Sequence, residues 1–565
     1  MLAEALRPVA GAAFGVARSF SGRKWILRDC SEDAARGLSL AGDISALLAR
    51  LLATRGIGAA ELGDVLNPTL RQLLPEPLRL KDMDKAIARL RAAIEADEKI
   101  AVFGDYDVDG SCSAALLSEF LTALGHAPRI YIPDRLTEGY GPSARAFAQL
   151  KDEGMGLVVT VDCGAAAMEA LTAARDAGLD VVVLDHHAIE SAPPSVAQVN
   201  PNQPGDTSGL TYLCAAGVTF LFLVALNRDL RDSGWYAAHD ISEPDLRAHL
   251  DLVGLATICD VVPLVGVNRA FVRAGLAKLS AQERPGLKAL AAAANIAPAF
   301  TPYHLGFLFG PRINAGGRVG KCSLGVELLI EKDAANAEDI AALLDSHNKE
   351  RQALEKLILE DAIAMASTQG NAPFVLVHGE GWHPGVVGIV ASRLKERFDK
   401  PALVAGFENG IGRGSARSIA GVDLGAIVRA AHLQGLLDSG GGHAMAAGFT
   451  VASGKLDAFR EFLTARFTGQ SDALEAASEL ALDIALSPAG ATAAFVEEIA
   501  RIGPFGAGNP EPLVVASDVR VVFADVVGKD HIRLRLSGGD GARLDAIAFR
   551  AAATPLGEGL LKSRG

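Results

Sequence analysis

Between residues 100 and 184, apolar runs of four or five residues alternate with stretches whose apolar positions recur every three to four residues. Short unbroken apolar runs read as strands buried on both faces, and the longer period reads as helix. Their alternation predicts a parallel sheet with crossover helices. Strands are predicted at 100–103, 129–132, 157–161 and 181–184, and helices at 111–124, 143–153 and 165–177. Ahead of them, 44–96 is helical and polar-faced, punctuated by Asn67-Pro68, with 78–96 leading into the first strand. Further on, 214–226 reads as a core helix and 246–259 as helical.

The patterning then changes twice. Residues 337–367 read as one long helix whose apolar positions (Ile340, Leu343, Leu344, Leu354, Leu357, Ile358) leave charged faces, as expected of a bridge between two lobes. A second α/β unit follows from Pro373, with strands at 374–377 and 402–405 and helices at 386–398 and 424–437. From Pro504 the chain turns to short alternating strands at 519–524, 531–536 and 544–549, suggesting a small barrel of the OB type. Such a barrel needs five strands, so it either borrows an earlier one or is incomplete. The domain reading is an N-terminal tail and helical lead-in (1–75), a parallel-sheet catalytic domain (76–335), the bridging helix (336–370), a substrate-gripping α/β domain (371–470) and an OB-like nucleic-acid-binding domain (471–565).

Composition refines this picture only modestly. With 565 residues the chain is too long for one core, and half of it is apolar with 60 glycines, as in Ala-rich α/β proteins. The net charge of −13 weighs against a non-specific nucleic-acid coat but leaves room for a local basic groove, or for acids neutralised by metal. Six scattered cysteines without a C-x-x-C fit reduced thiols in a cytosol and give no zinc ribbon. No apolar run reaches the ~18 residues of a membrane span. The first 22 residues, with Arg7, Arg18 and the single acid Glu4, read as a frayed tail rather than a transit peptide.

The chemistry sits at strand ends. The strand 100–103 runs through Gly104 into Asp105, Asp107 and Asp109, the next-but-one runs into Asp162, and the fourth into Asp185-His186-His187. Alone, a D-x-D is as readily a solvated acidic turn. In open parallel sheets, however, ligands bind beyond the carboxyl ends of the strands, so these three ends converge. Crowded carboxylates of this kind are held together by hard divalent cations. Asp260, flanked by Ile258, Val261 and Val262, needs a partner for the same reason, unless it merely caps a helix. Downstream, a Gly-rich loop is expected at 310–321, carrying Arg312, Asn314, Arg318 and Lys321, with two more at 412–418 and 439–448. Arg forks suit phosphate oxygens, with a structural turn carrying salt-bridging Arg as the alternative at 310–321, and small residues let a backbone approach a phosphate chain.

Taken together, G-D-Y-D-V-D-G (104–110), V-T-V-D-C-G (159–164), D-H-H (185–187), C-D-V-V-P-L (259–264) and G-G-G-H-A-M-A-A-G (440–448) resemble the DHH phosphoesterase family, and the second lobe resembles its associated DHH-linked domain. G-P-R-I-N-A-G-G-R (310–318), the bridging helix and P-F-G-A-G-N-P-E-P (504–512) are similar to that family's branch of single-strand-specific 5′-to-3′ DNA exonucleases. The resemblance implies a metal cage of Asp105, Asp107, Asp109, Asp162, His186 and Asp260 for two divalent cations, manganese preferred or magnesium. Asp162 would bridge the two ions, His187 would face the scissile phosphate and Asp185 would orient the site. Asp107 and Asp162 would also count among the catalytic groups. Some relatives place a His where this chain has Phe103, which would leave one site a ligand short.

The same resemblance implies that Arg312, Asn314, Arg318, Arg413, Ser415, Arg417, Ser418, Gly441, Gly442 and His443 grip phosphates. It further implies a cytoplasmic, monomeric enzyme of DNA repair and recombination that acts on single-stranded DNA, with a single-strand-binding protein and a RecQ-type helicase as partners and no membrane. A cleft between the lobes should admit one strand and exclude a duplex. Two rival readings are a phosphodiesterase of short oligonucleotides and a scaffold without activity. The β domain speaks against the first, and the complete set of acids and His186 against the second.

Overall fold

The computed structural model describes residues 11–134, 137–139, 141–370, 372–468 and 479–563. Residues 1–10, with Glu4 and Arg7 of the expected tail, lie outside them. The chain divides into two units. One comprises residues 67–351 and 503–511, and the other comprises 1–66, 352–502 and 512–565. Their boundary falls inside the long helix Ala334–Ser367.

The first unit is built on a five-stranded, all-parallel sheet. Its order is Arg129–Tyr131, Ile100–Gly104, Leu157–Val161, Asp180–Leu184, Ala197–Val199. Side chains alternate across a strand, and here both faces are dry. Val102, Val159, Val182 and Leu184 pack with the helices Met83–Glu95, Val108–Ala123 and Ala215–Asp232. Ala101, Phe103, Val158 and Val183 pack on the other side with Ala144–Asp152 and Met168–Asp176. This two-sided burial is why the strands read as continuous apolar runs. The connection order reverses between Ile100–Gly104 and Leu157–Val161, which is where such sheets open a crevice for ligands.

The sequence predicts a turn at Gly110 and a helix from Ser111, yet the helix begins at Val108 with Asp107 as its N-cap. Gly110 lies inside it because a Cβ there would sit 2.5 Å from the Asp105 carbonyl oxygen. A larger correction concerns 310–321, which is not a loop. Residues Gly310–Val319 are α-helical. Their glycines serve close packing: a Cβ on Gly317 would lie 2.6 Å from the Tyr106 ring, and one on Gly310 2.7 Å from Cys259 Sγ. Residues 503–511, although late in the chain, belong to this unit. Ala507 O accepts from Leu264 N (2.7 Å), and Gly503 O accepts from the buried Arg269 (2.8 Å).

The second unit holds a mixed five-stranded sheet in the order Ser439–His443, Ala446–Ala452, Ile411–Arg417, Ala402–Glu408, Val375–Glu380, with only the last pair parallel. The helix Pro384–Phe398 covers one face, and Leu424–Leu433 and Leu456–Thr468 the other. The two remaining expected Gly-rich loops are therefore strands. Gly412 and Gly414 stay in the ladder because the rings of Phe407 and Phe449 lie over the space a side chain would fill.

Near the C-terminus Arg520–Val527, His531–Ser537 and Arg543–Ala548 form an antiparallel sheet closed on one side by the helix Pro555–Lys562. Lys24–Leu27, inside the stretch expected to be tail and helical lead-in, pairs in parallel with Glu479–Leu482 as a separate two-stranded sheet and adds no strand to the three-stranded one. Among the described residues no helix is long and apolar enough to cross a membrane.

Candidate metal centre and phosphate-gripping residues

Asp105, Asp107 and Asp162 stand at the ends of the two strands that flank the reversal, and a carboxylate oxygen from each lies within 4.8 Å of the others. Asp107 is fixed as an N-cap, accepting from Gly110 N (3.0 Å). Asn314, on the helix that was expected to be a loop, accepts from Val108 N (3.1 Å) and so ties that helix to the acidic turn. Asp162 adopts φ +59°, a left-handed backbone that few non-glycine residues hold and that clusters at functional sites.

The third strand end supplies both histidines. Asp185 is fully enclosed: Oδ2 accepts from Ala165 N (2.9 Å), while Oδ1 accepts from His186 N (2.7 Å) and lies 2.7 Å from His187 Nδ1. Asp185 thus holds the His187 ring through Nδ1. His186 Nε2 lies 3.3 Å from Asp162, 3.6 Å from Asp260 and 3.8 Å from Asp109. Two residues had no reading at the sequence level: Asn200 and Asn202 donate to the backbone oxygens of His187 (2.8 Å) and His186 (2.6 Å). The signal for them was the N-P-N that follows the strand Ala197–Val199.

Asp260 closes the cluster as the C-cap of the helix Leu250–Cys259, and its buried Oδ2 accepts no hydrogen bond. Asp109 has a second duty. Its oxygens accept from Ala215 N (2.6 Å) and Ala216 N (2.8 Å), so it also caps the helix Ala215–Asp232. Phe103 points away from the cluster into the core, stacked on Tyr131 at 5.1 Å, and offers no ligand.

The charges repel as the sequence implied. Burial, then the neighbouring carboxylates, push Asp162 well above the carboxylate range and Asp260 up to about 9; burial and Asp107 push Asp109 up to about 7. Burial and the adjacent His187 push His186 down to about 4. Burial would lower His187 too, but its hydrogen bond to Asp185 and the surrounding carboxylates outweigh that and raise it to about 9. A neutral imidazole, several carboxylates and an orphaned buried oxygen are what a hard or borderline divalent cation requires. The donor set fits such ions, with Asp105, Asp107 and Asp162 on one side and Asp109, His186 and Asp260 on the other.

The expected phosphate-gripping residues fall in both units. In the first, Arg312 is paired with Asp345 (2.9 Å) and donates to Leu308 O (2.8 Å), while Arg318 stands in the last turn of its helix. In the second, Arg413, Ser415 and Arg417 alternate along one strand and so share a sheet face. Across the ladder Ser415 aligns with Gly448 and Gly441, and Arg417 with Ala446 and His443, so small residues floor the row between donors. Gly388 lets the covering helix approach: a Cβ there would be 3.1 Å from Arg417 Nη2 and 3.3 Å from Ser415 Oγ. Burial holds Arg417 below its ordinary range. Gly442 O accepts from Arg429 (2.7 Å). Ser418 differs, being fully buried and donating to Val422 O (2.7 Å).

Comparison with known proteins agrees with this geometry. Residues 99–257 match the DHH family N-terminal domain, 371–469 the DHHA1 domain and 482–561 the RecJ OB domain. The chain is 36% identical over 523 residues to the single-stranded-DNA-specific exonuclease RecJ of Dickeya dadantii, covering 90% of each. It is 35% identical over 537 residues to the Bacillus subtilis protein of that name, covering 93% of this chain and 66% of that one. The crystal structure of RecJ with Mn2+ from Thermus thermophilus aligns with a TM-score of 0.78 at 31% identity, over 92% of this chain and 73% of that one. The same protein with Mg2+ aligns with a TM-score of 0.72 at 30% identity, over 92% and 72%.

Proposed function

From the footing that the chain belongs to the RecJ family of DHH phosphoesterases, we propose that it is a metal-dependent 5′-to-3′ exonuclease that releases mononucleotides from single-stranded DNA. The observation that carries this reading is the meeting of three strand ends and Asp260 around His186 Nε2, within 3.3–3.8 Å of three carboxylates.

Two divalent cations, manganese preferred or magnesium, would be held by Asp105, Asp107, Asp109, Asp162, His186 and Asp260, with Asp162 shared. When bound they supply Lewis acidity and a water ionised near neutral pH. The chain's own groups do the rest. Asp185 fixes the His187 ring through Nδ1, so that its protonated Nε2 can donate to an oxygen of the scissile phosphate as negative charge develops there. The carboxylates offset the cations' charge, and Asn200 and Asn202 keep the two histidines in place through their backbone. Arg413, Ser415, Arg417 and His443 are proposed to hold the phosphates of the strand, with Gly441 and Gly442 giving the backbone close approach. Within the catalytic unit Arg318 is proposed to meet phosphate beside the metal cluster's own helix run, while Arg312 and Asn314 contribute by bracing that helix. By the same family reading, the enzyme works in the cytoplasm in DNA repair and recombination, alongside a single-strand-binding protein and a RecQ-type helicase.

The test compares 5′-labelled and 3′-labelled single strands with Mn2+, with duplex as control. Early release of 5′-labelled mononucleotide is expected, and Asp162→Ala or His186→Ala should abolish it with the circular dichroism unchanged. Near-normal turnover by either variant, or activity confined to oligonucleotides of a few residues, would overturn the reading.

A further inference from the structure

Residues 302–319 form one helical run: Pro302–His304 is α-helical, Leu305–Phe309 is a π-helical turn and Gly310–Val319 is α-helical again. π-Turns inserted in α-helices occur frequently at functional sites. This one is pressed against the end of the helix that presents Asp260. Cys259 Sγ donates to Leu305 O (3.4 Å), and a Cβ on Gly306 would lie 3.4 Å from Ile258 Cγ2. Leu305 and Phe309 are fully buried, yet Tyr303 and Phe307 are 59% and 64% exposed. Their rings are already stacked on each other, with centroids 5.0 Å apart and planes 26° off parallel. Tyr303 and Phe307 thus sit on the same helical run whose Leu305, Gly306 and Gly310 pack against Ile258 and Cys259, the residues that immediately precede Asp260.

Aromatic residues make up 5% of this chain, and a core has room for such rings, as Phe309 shows. Leaving two of them stacked and wet is therefore a cost that a partner with a flat apolar face would offset. Every nucleobase has such a face, and ring-on-base stacking tolerates any sequence. We propose that Tyr303 and Phe307 form a stacking platform for a base of the single strand as it enters the metal cluster, so that the strand is gripped by its bases as well as its phosphates. A duplex, whose bases are already stacked, could not use it. The inference rests on the nuclease reading above and deepens it.

The test uses the full chain and a 5′-phosphorylated single strand of roughly 12 nucleotides, within the span such proteins cover, protected by phosphorothioate linkages. Tyr303→Ala/Phe307→Ala should weaken its binding about five- to hundred-fold, and Tyr303→Phe/Phe307→Trp should restore it. A second strand lacks the bases of its 5′ segment. Wild type should lose comparable affinity on that strand, and the alanine variant should lose no more than about a further factor of two, because both changes remove one contact. Additive losses, or an alanine variant that binds the intact strand as wild type does, would overturn the platform. If wild type does not hydrolyse the unprotected strand with Mn2+, the nuclease reading itself falls; if it does and the losses add, only the platform falls.

Discussion

Removing the cation should make the catalytic unit unstable in alkali, in an amount set by the buried acids. Without metal, the folded protein keeps Asp260 (raised to about 9) protonated at neutral pH, whereas the unfolded chain ionises it; Asp162, raised well above its usual range by burial and its neighbours, shifts in the same direction. At Asp260 the folded state therefore binds about one more proton than the unfolded one, and stability must fall as pH rises from the ordinary carboxylate range through about 9. His187, raised to about 9, acts in the same direction above its usual value. His186, lowered to about 4, opposes it only below about pH 6.5.

Each excess proton is worth about 1.4 kcal/mol per unit of pH, so Asp260 alone gives roughly 1 kcal/mol or a little more between pH 7 and 8. Bound Mn2+ displaces those protons and should flatten the dependence. Hydrogen exchange of the strand Ile100–Gly104, in EDTA and in Mn2+ across this range, would read the difference. Titration calorimetry in buffers of different ionisation enthalpy would count the protons released. Exchange in EDTA that is no faster at pH 8 than at pH 7, after correction for the intrinsic rate, or release of less than about half a proton, would refute the reasoning.

Other expectations follow from single contacts. Gly317→Ala should push on Tyr106 between Asp105 and Asp107 and weaken Mn2+ binding about ten- to hundred-fold, measured by calorimetry; unchanged affinity would show that the helix does not brace the turn. Arg284 is buried against Asp251 (2.8 Å), Glu119 (2.9 Å) and Leu329 O (2.7 Å), so Arg284→Ala should cost about 3–5 kcal/mol in chemical unfolding. Burial would raise Glu119, but His249, Arg284 and Lys332 overcome that and hold it at about 2. Its contribution is thus present above the ordinary carboxylate value and lost as pH falls through about 2, and without Arg284 acid unfolding should begin at a higher pH. Asp185→Asn should release His187 from its raised value and move the alkaline limb of the activity profile down by at least about one pH unit; an unmoved limb would separate His187 from the reaction.

The catalytic sheet was legible because strands buried on both faces announce themselves as unbroken apolar runs, and because acids at the ends of such runs have nowhere to go but the sheet's carboxyl edge. Glycine was the residue misread. At Gly310–Val319 and Ile411–Arg417 it marks close approach of Tyr106, Cys259, Phe407 and Phe449 rather than turns, and a linear sequence does not show what approaches. Pairings over great separations were equally hidden. Lys24–Leu27 finds Glu479–Leu482 more than 450 residues later, and for Arg312 the sequence offered phosphate fork or salt bridge but not the partner, Asp345 on another helix. Asp109 looked like a ligand alone because its second task, capping Ala215–Asp232, lies over 100 residues downstream.

The placement of residues 503–511 in the catalytic unit bears on how the protein is made. Residue 351 emerges from the ribosome about 160 residues before the segment that backs Leu264 and Arg269, a delay of roughly 8–30 s at ordinary elongation rates. Until then the turn carrying Asp260 lacks its support, so a nascent chain holds an unfinished cutting edge, and competence waits for residues 503–511.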